Sequence, residues 1–472
     1  MSTTNRRPNL LFVFADQMRG MDMGCAGNAH VQTPNLDRLA AEGALFPRAF
    51  ANAPVCTPSR ACMLTGRYPL ATSVIANDLP LPPEQRGIGH ILREAGYRTG
   101  YVGKWHLDGV PRNGFTPPGP RRHGFDHWAA ANCTHDYYGG YVYRDSPEPI
   151  RIESYEPVGH TDFALEFLRE DAPSPWALFV SYGTPHDPYW MVPAAYRDRY
   201  DPSSLPVRSN VRPASVPVRP LGPRDAEATP AELLAWYYAA ITALDEQVGR
   251  LLDHLDRSGQ RSDTVVVFTS DHGDMLYSHG RLKKQQPYDE AISVPLLWRW
   301  PGTIPAGYHS DALFSTVDYV PTLRSLLGLP DETPMDGADR SAQVIGQAPS
   351  TGDEEVLLTD LVACDEAVAM GLREWRGLRT RRHTYARWVD GSDWLLFDNE
   401  TDPFQEHNLV ADPSFEEVRR SLGARLDARL RQAGDPVLPG LELVRRQGLA
   451  SLWNARELEL HPAGGARLIQ DI

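Results

Sequence analysis

Four short apolar runs, each closing on polar residues, set the rhythm of this chain. Leu10 to Ala15 leads into Asp16 and Gln17, and Thr99 to Gly103 into Lys104 and His106. Trp176 to Tyr182 leads into His186, and Thr264 to Ser270 into Asp271 and His272. The runs do not alternate with polar residues, which is the pattern of strands buried on both faces in a parallel sheet covered by helices. In open sheets of that kind ligands bind beyond the carboxyl ends of the strands. The four polar clusters are therefore predicted to converge on one site.

Helical periodicity separates the runs. Pro34 to Gly43 reads as a short amphipathic helix. Thr229-Pro230-Ala231-Glu232 is a capping box with proline at the first helical position. Leu234, Tyr237, Ile241, Leu244, Val248, Leu251 and Leu255 then recur at three- and four-residue steps, and Gly259 ends the helix. The strand from Val265 follows at once, a helix–strand unit of an α/β fold.

Two stretches between these elements are irregular. Leu107 to Glu156 is rich in Gly, Pro and aromatics, including Trp128, His135, Tyr137, Tyr138, Tyr141 and Tyr143. It reads either as a wall of a substrate pocket or as a loop packed by its own rings. Asp201 to Pro230 is proline-dense and reads as a surface excursion. From about Val356 the texture changes: Gly377 to Val389, a turn at Asp390-Gly391, and Trp394 to Phe397 read as a hairpin.

The predicted fold class is α/β, with a large mixed, mainly parallel sheet flanked by helices in residues 1–355. A small C-terminal subdomain with an antiparallel sheet is expected in 356–472, its last part, Gly440 to Ile472, being either an oligomer arm or a tail.

The totals narrow the partners. The chain has 472 residues, 42% hydrophobic and 23% charged, ordinary values for a globular protein. A net charge of −14, from 47 basic and 61 acidic side chains, argues against nucleic acid or an anionic membrane as the main partner. A local cluster of cations still leaves a small anionic substrate open. The apolar run near the N-terminus is too short for a secretory core or a membrane span. Five cysteines, at 25, 56, 62, 133 and 364, make an odd and sparse set that does not suggest a disulfide framework. The expected compartment is the cytoplasm.

The most informative stretch is Val55-Cys56-Thr57-Pro58-Ser59-Arg60. Thr57 followed by Pro58 reads as a helix start, with a capping hydroxyl and a proline at the first position. That puts Cys56 at a helix N-terminus, where the dipole and free N–H groups favour an anion. Arg60, four residues on, falls on the same face. Spacing alone leaves two readings of Cys56 open, a nucleophile beside an anion site and a buried free thiol.

Cys56-Thr57-Pro58-Ser59-Arg60, followed by Leu64-Thr65-Gly66-Arg67, resembles the signature of the formylglycine-dependent sulfatases of the alkaline phosphatase superfamily. The likeness runs from Asn9 to about Asn408, and the region after Val356 is similar to the small antiparallel subdomain of that family. The resemblance implies that Cys56 is oxidised after synthesis by a formylglycine-generating or equivalent maturation enzyme. The hydrated aldehyde is then the nucleophile toward a small anionic ester.

It also implies a divalent metal held by Asp16, Gln17, Asp271 and His272 together with the side chain at 56. Calcium is the family's usual ion. Gln17 stands where a second aspartate is common and His272 where asparagine often appears, and imidazole suits Mn²⁺ or Zn²⁺ better than Ca²⁺. The same two variants occur in the related phosphonate monoester hydrolases.

Gly103-Lys104-Trp105-His106 resembles the element whose lysine and histidine contact the formylglycine hydroxyls. His186, in Thr184-Pro185-His186-Asp187, is similar to a histidine on the leaving-group side, and is the expected acid. Lys284 matches the lysine that binds the substrate anion, with Lys283 its rival by one position. With Arg60, these cations would surround developing negative charge. The expected activity is metal-dependent hydrolysis of sulfate monoesters, as in arylsulfatases. A phosphonate monoester or phosphodiester hydrolase with the same nucleophile is the nearest alternative. A non-catalytic anion-binding protein that keeps Cys56 as a thiol is the third.

Overall fold

The computed structural model describes residues 7–170, 175–212, 222–330, 332–349 and 354–470. The proline-dense excursion expected at Asp201 to Pro230 lies partly outside them. The elements that build the site are, in chain order, β1 (Asn9–Asp16), α1 (Pro34–Ala41), β2 (Ala44–Leu45), α2 (Cys56–Thr65), β3 (Arg98–Lys104) and β4 (His127–Ala131). There follow α3 (Glu156–Arg169), β5 (Trp176–Pro185), α4 (Pro230–Arg257), β6 (Thr264–Ser270), β7 (Leu296–Arg299) and β8 (Tyr308–His309). All four apolar runs are strands.

The eight strands form one sheet in the order β8-β2-β7-β6-β1-β5-β3-β4. β6, β1, β5, β3 and β4 are mutually parallel, while β7 runs antiparallel to both β6 and β2. The sheet is thus mixed and mainly parallel, as the unbroken apolar runs required. Alternate residues of β1 serve opposite faces. Leu11, Val13 and Ala15 pack with Leu244, Val248 and Leu251 of α4, whereas Leu10, Phe12 and Phe14 join Ile88, Leu92 and Tyr319. Each such fully buried side chain contributes about 1.5–3 kcal/mol of transfer free energy.

α4 begins as its sequence indicates. Thr229 Oγ1 accepts from the Glu232 backbone N–H, and Glu232 Oε2 accepts from the Thr229 N–H at 2.7 Å. Gly259, at φ 71°, follows its end.

Register brings the polar clusters to one edge. Ala15 pairs with Ser270, Asp16 with Pro185, and Gly103 with Ser181. Asp16, Lys104, His186 and Asp271 therefore emerge side by side at the carboxyl ends of β1, β3, β5 and β6. Gly103 is required by a close approach: a Cβ there would lie 1.9 Å from the Ser181 carbonyl oxygen, and its φ is +101°.

Beyond the large sheet, β9 (Glu355–Asp360), β10 (Trp375–Thr380), β11 (His383–Trp388) and β12 (Asp393–Asp398) form an antiparallel meander in that order. The stretch from Gly377 to Val389, expected as one arm of a hairpin, is two strands joined at Arg381-Arg382. No Gly or Pro marks that turn; Arg382 is held instead by two-nitrogen contact with Asp398. Helices α5 (Glu416–Gln432), α6 (Gly440–Arg446) and α7 (Ala450–Leu460) follow. Phe50, Ile292 and Leu313 share one apolar cluster with Val356, Leu358 and Trp375, so the meander packs against short elements and loops of the α/β part. Among the described residues no helix is long and apolar enough to cross a membrane.

Candidate active site

α2 starts two residues earlier than the Thr-Pro pair indicates, at Cys56 itself, and all ten of its residues are buried. Its extended N-cap, Val55, offers no side-chain acceptor. The missing cap comes from another loop: Asn77 Oδ1 accepts from the Thr57 N–H at 3.0 Å and from the Thr57 hydroxyl at 2.9 Å. Thr57 Oγ1 in turn accepts from the Asp78 N–H at 3.0 Å. Ser59 Oγ donates to the Asp271 carbonyl, tying α2 to the end of β6.

Arg60 lies on the same face as Cys56, as the spacing predicts, and is fully enclosed. Its Nη2 donates to Asp16 Oδ2 at 3.0 Å and its Nε to Asp271 Oδ2 at 2.9 Å. Nη1 reaches the Lys104 carbonyl at 2.8 Å and Ser181 Oγ at 2.9 Å. Each of its three nitrogens has a partner, as burying a guanidinium requires. Lys104 Nζ donates to Asp16 Oδ2 at 2.6 Å. Burial alone would raise the Asp16 carboxyl, but Lys104, His186, Arg60 and His272 hold it well below the usual carboxylate range.

Cys56 Sγ lies 3.1 Å from His272 Nε2 and 3.7 Å from Asp16 Oδ1. Burial and Asp16 push its thiol up, yet Lys284, Lys104 and His272 bring it down to about 5. The thiolate is therefore the stable form at neutral pH.

Asp16, Cys56, Asp271 and His272 present one ligand atom each within 4.8 Å of one another, all buried. That spacing suits a cation placed at about 2.0–2.6 Å from each. His272 Nδ1 is 2.9 Å from the Gly273 carbonyl oxygen. Donation there leaves the lone pair on Nε2, inside the cluster. Gly273 itself is needed because a Cβ would sit 2.0 Å from the Glu290 oxygen. Two carboxylates, an imidazole and a thiolate thus form a site fit for a divalent ion.

Gln17 is part of the same centre but differently engaged. Its N–H donates to Asp271 Oδ1 at 3.0 Å, and its Oε1 accepts from Lys284 Nζ at 2.6 Å. Its amide nitrogen donates to Asp274 Oδ2 at 2.6 Å. Lys284 also reaches His186 Nε2 at 2.8 Å, whereas Lys283 pairs with Asp187. Burial, Lys284 and His135 drive the His186 ring well below its ordinary pKa. His106 behaves oppositely. Burial and Lys104 oppose its charge, but Cys133 and Asp78 outweigh them and raise it to about 10. Asp78 Oδ1 is 2.9 Å from His106 Nε2, and Arg112 grips both carboxylate oxygens at 2.7 Å.

Cys56, His106, His186, Lys283 and Lys284 line one cavity of about 520 Å³. Sequence reasoning left out several of its members. His135 stacks on His186 at 4.2 Å and reaches Lys104 Nζ at 3.2 Å. It was visible only as one ring among many in the Leu107 to Glu156 loop, which does wall the pocket at this point. Asn77, Asp78 and Arg112 carried no local signal. Non-glycine residues at positive φ gather here: Gln17, Asp78, His106 and Lys283. Such strain is characteristic of functional sites.

Comparison with known proteins finds relatives in sequence and in fold. The model of the sulfatase family matches residues 8–329, and that of the N-sulphoglucosamine sulphohydrolase C-terminal region matches residues 278–432. The chain is 38% identical to an ulvan-active sulfatase of Formosa agariphila over 435 residues, 91% of this chain and 82% of that one. It is 27% identical to an endo-4-O-sulfatase of Bacteroides thetaiotaomicron, over 91% of this chain and 93% of the relative. The solved phosphonate monoester hydrolase of Agrobacterium radiobacter superposes with a TM-score of 0.75 at 25% identity, covering 90% and 96% of the two chains.

Proposed function

The chain belongs to the sulfatase family, and from that premise we propose that it hydrolyses sulfate monoesters of carbohydrates with formylglycine, made from Cys56, as nucleophile. The observation that carries the reading is the setting of Cys56: a buried helix start, ringed by Arg60, Lys104 and Lys284, beside two carboxylates and an imidazole. Relatives named N-acetylglucosamine-6-O-sulfatase and N-acetylgalactosamine-6-sulfatase, 25% and 29% identical to this chain, support the substrate class.

Asp16, Asp271, His272 and the side chain at 56 would hold a divalent ion, with Gln17 as a further oxygen donor. Such an ion lowers the pKa of a bound hydroxyl and neutralises charge on the sulfuryl oxygens. The mixed oxygen and nitrogen donors accept Mn²⁺ or Zn²⁺ as well as the family's usual Ca²⁺. A hydrated aldehyde at 56 would supply two hydroxyls on one carbon, the chemistry needed to displace the alcohol and then release sulfate. A maturation oxidase acting on the thiol is the implied partner.

The chain's own side chains do the rest. Arg60 fixes Asp16 and Asp271 and so sets the direction of their free lone pairs. Lys104 and Lys284 are preorganised cations for the sulfuryl oxygens. On entry of the anion, Lys284 exchanges Gln17 Oε1 for a sulfuryl oxygen. The substrate's charge draws a proton onto the Lys284–His186 pair, and His186 delivers it to the departing alcohol. His106, kept charged by Asp78, donates toward the nucleophile. Five unpaired cysteines support a cytoplasmic setting.

The test compares turnover of an aryl sulfate, an aryl phosphonate and sulfated sugars on one preparation, with mass spectrometry of the Cys56 peptide. Sulfate esters should be preferred and the peptide should carry the aldehyde. A preference for the phosphonate selects the alternative hydrolase. An unmodified thiol in active protein from the native host rules out the proposed nucleophile.

A further inference from the structure

Residues 433–472 lie beyond the last position matched by either family model, yet they do not trail from the fold. Arg456 of α7 is fully buried, and its guanidinium ties this helix to two other segments. Nε donates to the Asn77 carbonyl at 2.7 Å, Nη2 to Asp365 Oδ2 at 2.5 Å and Nη1 to Glu457 Oε1 at 2.5 Å. Trp453, also buried, donates Nε1 to the Arg467 carbonyl at 2.8 Å, and Glu457 Oε2 accepts from the Arg467 N–H at 2.7 Å. Asn77 is the residue that caps α2, so α7 is fastened directly to the loop behind Cys56.

This anchoring sets the end of α7, Leu460 and His461, on the wall of the cavity that contains Cys56, together with Asp365 and Arg112. The lining is graded in exposure. Cys56 and Lys284 are 1% exposed and His186 6%, whereas the side chain of Asp365 is 18% exposed and those of Arg112 and His461 are 35% exposed. The buried groups are those that receive the sulfuryl group, so the more open ones surround whatever is attached to it. His461 Nε2 stands 3.9 Å from Asp365 Oδ1. Arg112, with Nε and Nη2 committed to Asp78, retains Nη1 as a donor. An imidazole, a carboxylate and a guanidinium edge, beside the aliphatic face of Leu460, match a ring that carries several hydroxyls on one side and C–H bonds on the other.

We propose that Leu460, His461, Asp365 and Arg112 form the subsite for the departing sugar, and that the carboxyl-terminal segment thereby selects the alcohol. Asp365 accepts from ring hydroxyls, His461 and Arg112 donate to them, and Leu460 covers a ring face. The proposal rests on the carbohydrate reading given above.

The test uses the matured full-length enzyme and two variants, His461→Ala and Leu460→Asp. It measures kcat/KM for 4-nitrophenyl sulfate and for a panel of sulfated mono- and disaccharides. The ratio of sugar to aryl kcat/KM is expected to fall tenfold or more in each variant, mainly through KM for the sugar. A purely structural role lowers both substrates together and leaves the ratio unchanged, and that result overturns the proposal. If the parent enzyme cleaves the aryl sulfate and no sulfated sugar, the carbohydrate reading fails and takes the subsite with it. Sugar turnover by the parent with unchanged ratios in both variants removes the subsite alone.

Discussion

Glu156 and His160 lie 3.9 Å apart within α3, both buried, and still do not form an ion pair at neutral pH. Burial raises the Glu156 carboxyl to about 8, with Cys133, Asp136 and Asp16 adding to it against Lys104, and burial lowers His160 to about 3. Each is neutral in the fold. For Glu156 the unfolded chain releases its proton near the ordinary value of 4.5 while the folded one keeps it, so its stability contribution is intact below that and is lost as pH rises toward 8. Glu156→Gln, which cannot ionise, should gain thermal stability relative to the parent as pH rises from 5 to 8; parallel melting-temperature profiles would contradict the assignment. At the proposed metal site, Asp271→Ala removes a proposed ligand and the partner of Arg60 Nε together. It should purify with less metal than the parent by elemental analysis and have no measurable turnover, and unchanged metal content would count against Asp271 as a ligand. Asp16, Cys56, Arg60, Lys104, His106, His186, Asp271, His272 and Lys284 were legible because each sits at a strand end or in a short local pattern. Asp78 and His135 were not, because their meaning lies in contacts to His106, Lys104 and His186 that no local pattern encodes.

At the scale of elements, the strands were legible because burial on both faces leaves an unbroken apolar run, and α4 because its cap and stripe agree. The start of α2 was misplaced by two residues for a physical reason. A capping hydroxyl at Thr57 is the local solution, but the fold supplies the acceptor from Asn77, twenty residues away. Removing that acceptor should cost what a lost cap costs, about 0.5–2 kcal/mol. Asn77→Ala is therefore expected to melt at lower temperature than the parent and, since α2 carries the proposed nucleophile, to turn over more slowly. A variant with an unaltered melting temperature would show that the Thr57 N–H finds another partner at no cost. The missed turn at Arg381-Arg382 has a similar origin, because its stability comes from Asp398 on the neighbouring strand and not from turn-forming residues.

Across the whole molecule, the large sheet and the C-terminal meander were both foreseen, but not how closely they depend on each other. Trp375 donates Nε1 to the Gln285 carbonyl at 3.0 Å, and Gln285 Nε2 donates to the Cys364 carbonyl at 3.0 Å, so the meander holds the loop that carries Lys284. With an apolar cluster also shared between them, the two parts should unfold together. Calorimetry is expected to give one cooperative transition, and two separated transitions would mean that the contacts are too weak to couple them. The depth of Cys56 has a consequence for biosynthesis. Cys56 is 1% exposed and is the first residue of a helix with no exposed residue, so a second protein cannot close its own catalytic groups around the thiol once the sheet has formed. On the proposed chemistry the aldehyde must be installed on the nascent or still unfolded polypeptide. A host lacking that machinery would accumulate well-folded, inert protein, which adding the oxidase afterwards would not awaken.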